Sequence, residues 1–144
     1  MKKLLFLLPV LFISMLATAQ VKKLPAQVVK FTEQQYNFGK IKQNQPVTHD
    51  FAFNNISGKP VVIESATASC GCTTPVWPQK PIAKNKKDKI TAGFNAAAAG
   101  PFEKTIFVKI SGVDQQVALI IKGEVLSADD YAKFEKENAK KSGK

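Results

Sequence analysis

The chain has 144 residues and a formal charge of +10, with 21 lysines, no arginine and 11 acids. Lysine gives a generic, salt-screened attraction to anionic surfaces, whereas base reading leans on arginine's planar fork, so specific nucleic-acid recognition is not expected. With two cysteines and one histidine, a four-ligand structural zinc site is out of reach without carboxylates or a second molecule.

Residues 1–19 read as an export signal. Lys2 and Lys3 form a positive start, Leu4 to Leu16 an apolar core, and Ala17-Thr18-Ala19 an A-x-A cleavage site before Gln20. The apolar run is shorter than the ~20 residues a bilayer span needs, and Pro9 interrupts it. An uncleaved anchor is the alternative. No cysteine follows the run to take a lipid. Cleavage after Ala19 leaves 125 residues and a charge of +8, because Lys2 and Lys3 leave with the signal. That length suits one domain, which would bury roughly two thirds of its unfolded surface. The expectation is an exported protein, periplasmic or extracellular, with no transmembrane segment in its mature form.

Residues 20–27 are expected to be a flexible leader. Val28 to Thr32 reads as a short strand, and Tyr36 to Ile41 alternates with period two. After the turn cluster Lys42 to Pro46, Val47, Phe51 and Phe53 share one strand face with His49, while Thr48, Asp50, Ala52 and Asn54 share the other. The turn Asn54 to Pro60 contains Asn55-Ile56-Ser57, which fits the N-glycosylation triplet by pattern alone. Val61 to Ala68 is rich in β-branched residues, as strands prefer. Ser69-Cys70-Gly71-Cys72-Thr73-Thr74-Pro75 follows, and then Pro78 and Pro81 surround Trp77. Proline density excludes a central strand, so Thr73 to Lys87 is expected to be a loop or an edge-hugging segment. Asp88 to Phe94 resumes alternation, and Ala96 to Ala99 is read as a connecting loop. Phe102 to Ile110 and Gln116 to Val125 are strands flanking a hairpin turn at Ser111 to Asp114. About seven short strands with turns between them predict an all-β, immunoglobulin-like antiparallel sandwich over residues 28–126. Ser127-Ala128-Asp129-Asp130 resembles a capping box with aspartate in place of glutamate. It opens the charged tail 127–144, read as a fraying helix or a disordered segment.

Several of these stretches carry a resemblance. Phe38-Gly39-x-Ile41, Phe51-x-Phe53-Asn54-x-x-x-Gly58-x-Pro60, Ser69-Cys70-Gly71-Cys72-Thr73-x-Pro75, Pro81-Ile82 and Gly100-x-Phe102-x-Lys104-Thr105-Ile106-x-Val108 follow in order. Over about residues 30–125 they resemble the exported bacterial family catalogued as domain of unknown function 1573. The resemblance implies a sandwich akin to PapD-like and major-sperm-protein-like domains, and no activity. One departure stands out: the family's Pro-Gly turn is replaced here by Lys84-Asn85, and asparagine tolerates the same left-handed backbone.

No constellation for acid–base catalysis is evident, because the acids are scattered or sit towards the tail. His49 is read as a half-buried histidine at the rim of the core. Cys70 and Cys72 leave several readings open. They are a vicinal disulfide, a redox pair assisted by neighbouring lysines, a copper(I) site of two thiolates, or two buried thiols. An extended i, i+2 pair lies near the upper limit of disulfide Cα separation, and Gly71 is expected to supply the bend. Trp77 is read as an anchor folding its loop onto the sandwich. With Lys80, Lys84, Lys86 and Lys87 it forms a candidate interaction surface. The leading functional expectation is a non-enzymatic binding or structural module of the bacterial envelope, without cofactor, whose partner is a protein or another envelope component. The alternative is a thiol-redox or copper(I)-handling protein acting through Cys70-Gly71-Cys72.

Overall fold

Alternation in the sequence resolves into two four-stranded sheets packed face to face. The computed structural model describes residues 23–142; the signal expected at residues 1–19 lies outside them. The strands are β1 (Val29–Phe31), β2 (Gln35–Lys42), β3 (Val47–Asn55), β4 (Ile63–Ala68), β5 (Thr73–Val76), β6 (Lys87–Phe94), β7 (Gly100–Ile110) and β8 (Val117–Leu126), followed by helix α1 (Ala128–Ser142). One sheet has the order β1-β3-β6-β5 and the other β2-β8-β7-β4. In immunoglobulin terms these are an A-B-E-D sheet and a G-F-C sheet whose outer strand is a continuation of the first.

The core follows from period-two patterning. Phe51 and Phe53 of β3, Ile90 of β6, Ile106 of β7 and Leu119 and Ile121 of β8 are almost wholly excluded from solvent. Ile106, Val108 and Ile110 alternate along β7, and Val117, Leu119, Ile121 and Val125 share one face of β8; all are buried. Phe102 reaches from β7 to stack on Phe94 of β6, with ring centroids 4.1 Å apart. Gly123 makes room for this: a Cβ there would lie 2.7 Å from the Gly39 carbonyl oxygen and 3.0 Å from the Phe102 ring.

One expectation needs correction. Among the described residues there are eight strands, where about seven were expected, and β2 pairs with β8 in parallel, not antiparallel. The chain leaves β1 and crosses to the other sheet without reversing, so β2 runs beside β8 in the same sense; Ile120 N–H donates to the Gln34 carbonyl at 2.8 Å across this crossing. Pro25–Gln27 form a 3-10 turn with Pro25 in its first position, where a missing N–H costs nothing. The Val28 N–H donates to the Pro25 carbonyl at 2.9 Å, and this places Val28 in the core.

The tail is helical. Ser127 caps it: the Asp130 N–H donates to Ser127 Oγ at 3.2 Å, and the hydroxyl donates to Asp130 Oδ2 at 2.8 Å. Aspartate's carboxylate bonds to the serine hydroxyl here, not to the backbone as in a full capping box. Asp129 and Asp130 in the first turn, with Lys140 and Lys141 in the last, complement the helix dipole. Phe134 lies under Lys40 of β2, with the ammonium 5.1 Å from the ring centre.

Candidate functional site

The cysteine motif sits in the tight connection between β4 and β5, the two strands on the same open side of the sandwich. Thr73 N–H donates to the Cys70 carbonyl at 3.3 Å, and Asn95 N–H donates to the Cys72 carbonyl at 3.1 Å. The reversal brings the Cα atoms to 5.4 Å, inside the range a disulfide needs, and the two sulfurs are bonded. Nothing around the turn requires Gly71 to be glycine. Gly71 is absent from the glycines with positive φ, and a Cβ on it would meet nothing within 4 Å. The bend comes from the turn hydrogen bonds rather than from glycine's freedom. Both cysteines are half-buried, and the Cys70 sulfur lies 3.7 Å from the Thr73 hydroxyl.

The lysine cluster is elsewhere. β5 pairs with β6 so that Thr73 faces Phe94 at the cysteine end, whereas Lys87 opens β6 at the other end. Seven residues of strand separate them, about 23 Å at the usual rise. The lysines of this loop therefore do not bear on the sulfurs. On the other flank, Ser69 N–H donates to the Thr105 carbonyl at 2.8 Å, which ties the start of the motif to β7.

Trp77 packs against the core, as an anchor would. It lines a groove with Val76, Lys80, Asp88, Lys89 and Thr91. The loop beyond it returns to the approach to β4, where Val61 and Ile82 exchange backbone hydrogen bonds of 2.9 and 2.7 Å. Asn85 takes the left-handed turn position at φ 60°, as asparagine tolerates. Lys84, Lys86 and Lys87 are exposed around it. Register adds a residue that the sequence reading missed. Lys30, Asn54 and Lys87 form one cross-strand row on the outer face, and the Asn54 Oδ1 between the two lysines is buried with no hydrogen-bond partner among the described residues. Only strand pairing could reveal that row. On the same face Lys89 Nζ and Thr91 Oγ1 each donate to the Asp50 carboxylate at 2.6 Å. The Lys89 hydrogen bond, then that of Thr91, holds the Asp50 carboxyl below its usual range.

His49 stands between the sheets. Its ring stacks on Tyr36 at 3.6 Å, and its Nε2 lies 3.0 Å from Glu33 Oε1. The cysteines lie in the β4–β5 connection and His49 on β3, which pairs with β6 and not with either flank of that connection. Asn55 is fully buried and donates from Nδ2 to the carbonyls of Lys59, Ile82 and Ala83 at 2.7, 2.9 and 3.1 Å. That amide ties the β3–β4 turn to the proline loop. The buried nitrogen is closed to a glycan, which disposes of the glycosylation pattern. Its signal was an asparagine two residues before Ser57-Gly58-Lys59-Pro60, where a side-chain amide commonly organises a turn.

Comparison with known proteins places this geometry. A family model described as "Protein of unknown function (DUF1573)" matches residues 29–125. No curated protein matches the chain. Among solved structures, the ASH / PapD-like domain 7 of human CEP192 aligns with a TM-score of 0.62 at 10% identity, over 81% of this chain and 96% of that one. A protein of unknown function from Porphyromonas gingivalis W83 aligns with a TM-score of 0.58 at 11% identity, over 67% of this chain. The chain spans about half the length of that protein, 46%. The SrpA adhesin from Streptococcus sanguinis aligns with a TM-score of 0.52 at 7% identity, over 72% of this chain and 59% of that one. At these identities the likeness is one of fold. Among the described residues no helix is long and apolar enough to cross a membrane.

Proposed function

The chain belongs to the DUF1573 family, whose immunoglobulin-like, PapD-like sandwich it shares, and on that footing we propose that it is an exported, non-enzymatic binding module of the bacterial envelope. The observation that carries the reading is the gathering of exposed lysines on one end and face: Lys80, Lys84 and Lys86 from a single loop and Lys87 at the start of β6, with Lys30 joined to Lys87 by register. Ammonium groups on flexible stems act as strongly hydrated point charges. They attract an anionic surface without demanding a fixed geometry. Trp77 holds the loop to the core, so the charges are presented on a fixed support.

The test is sedimentation of the protein with vesicles containing an anionic phospholipid, beside neutral vesicles. Binding to the anionic vesicles at low salt, lost near 0.5 M salt where the Debye length is about 4 Å, supports the reading. The variant Lys80→Gln, Lys84→Gln, Lys86→Gln, Lys87→Gln should bind at least tenfold more weakly. Equal binding by that variant contradicts the lysine surface.

A second reading is thiol–disulfide exchange at Cys70 and Cys72, or copper(I) held by the reduced pair. What favours it is the half-exposed cross-link between two cysteines only two positions apart. A free-thiol count with and without reductant, followed by a copper(I) titration, tests it.

A further inference from the structure

Each sheet of a sandwich has two edges, and an edge left open can take another strand. Three of the four are blunted here. β1 has only three residues. β2 carries a register irregularity between Asn37 and Lys40 and is packed by α1. β5 fails on chemistry. The Cys72 carbonyl faces β6, since it accepts from Asn95; antiparallel alternation then turns Thr73 and Pro75 outward. The Thr73 N–H is already given to the Cys70 carbonyl, and proline has none. That edge offers acceptors and no free donor.

β4 differs. The Ser69 N–H is given to β7, so the same alternation turns Ala66 and Ala68 to the open side, each with a free N–H and C=O. The stretch Ser65 to Ser69 has neither proline nor lysine, the usual guards of an edge. It is bounded by the Val61–Ile82 bridge at one end and the Cys70–Cys72 turn at the other. We propose that β4 is a docking edge, on which an extended, acidic segment of a partner protein adds as a fifth strand beside Ala66 and Ala68.

Charge decides the occupant. A second copy would bring together two chains that each carry +8 once residues 1–19, with Lys2 and Lys3, are removed, and like net charge opposes association. The loop that runs from β5 back to Val61 carries Lys80, exposed. An acidic strand suits this lysine and the positive net charge, with its acids set away from Glu64, which is exposed at the start of β4. The inference rests on the binding-module reading but uses a different surface from the lysine face.

The probe is a synthetic ten-residue peptide alternating valine or threonine with glutamate, and the readout is residue-resolved amide hydrogen exchange. In the free protein, Ala66 and Ala68 should exchange much faster than Thr67 and Ser69. With peptide, both should slow at least tenfold, while Thr73 to Val76 stay unchanged. Ala68→Pro, if folded by its melting temperature, should abolish the effect; the exchange pattern of the unmodified protein stands as a test whatever that variant does. Unchanged exchange at millimolar peptide overturns the proposal, as does protection confined to β2 or β5. Protection that rises with protein concentration in the absence of peptide overturns the choice of occupant in favour of a second copy. The four-lysine variant keeps part of the edge response if the β4 edge acts by itself, and loses vesicle binding, so failure of one reading is distinguishable from failure of the other.

Discussion

Tyr36 of β2 and His49 of β3 stack face to face, their ring centroids 3.6 Å apart and their planes within 6°. They belong to opposite sheets. The single histidine therefore works as an inter-sheet clasp, flanked by Phe51 edge-on at 4.8 Å and tied to Glu33 at its rim.

Removing that ring should loosen the sandwich. His49→Ala should cost about 1–2 kcal/mol, the contribution of an aromatic pair together with lost burial. The melting temperature should fall by roughly 4–8 °C per kcal/mol lost. His49→Phe should restore most of it. Equal stability of His49→Ala and the parent, by thermal unfolding, contradicts the clasp.

Gly123→Ala and Gly71→Ala should behave oppositely. At Gly123 a Cβ collides with the Gly39 backbone at 2.7 Å, and neither group is a flexible side-chain end, so a loss of about 1–3 kcal/mol is expected. At Gly71 nothing lies within 4 Å, and the disulfide should still form. Denaturant midpoints and a thiol count decide both.

The cross-link itself should contribute little. It closes a loop of three residues between Cys70 and Cys72, and the stabilisation expected from closing a chain falls as the loop shortens. Cys70→Ser with Cys72→Ser should melt within a few degrees of the parent. A double variant that cannot fold would show that the turn depends on the bond.

Acid should weaken the outer-face network. Asp50 has its carboxyl held low in the folded state by Lys89 and Thr91. Such a group stabilises above its unfolded value and loses that contribution as pH falls through the folded one. The pair is largely exposed, so the effect is small. Asp50→Asn should flatten the fall in melting temperature between pH 5 and pH 3, values set around the usual carboxylate range; an unaltered slope argues against it.

Much of this fold was legible in the residues because burial imposes period two on each strand. Ile106, Val108 and Ile110 alternate, and they are the residues that point inward. The parallel pairing of β2 was not legible, since alternation records which face is buried and not which neighbour lies beside it. Trp77 as an anchor could be read from its proline surroundings. The Lys30–Asn54–Lys87 row could not, because Lys30 and Lys87 are brought together only by β3 between them. Glycine between two cysteines suggested a backbone bend, yet the turn is made by Thr73 and Asn95 donating to the cysteine carbonyls. The helix beyond Ser127 was legible at its cap and not in its body, where Tyr131 and Phe134 alone offer half-buried apolar surface. A chain ending at Leu126 should accordingly keep its melting temperature within a few degrees.

The claim that the lysine face binds an anionic envelope component is tested most directly in intact cells. A photo-crosslinking residue at Gln79, within the lysine loop, is compared with one at Ala118, exposed on the outer face of the other sheet. The account predicts adducts in the envelope fraction from position 79 that disappear when Lys80, Lys84, Lys86 and Lys87 are changed to glutamine, and far fewer from position 118. Equal adducts from both positions, or adducts from position 79 that survive the four substitutions, would contradict it.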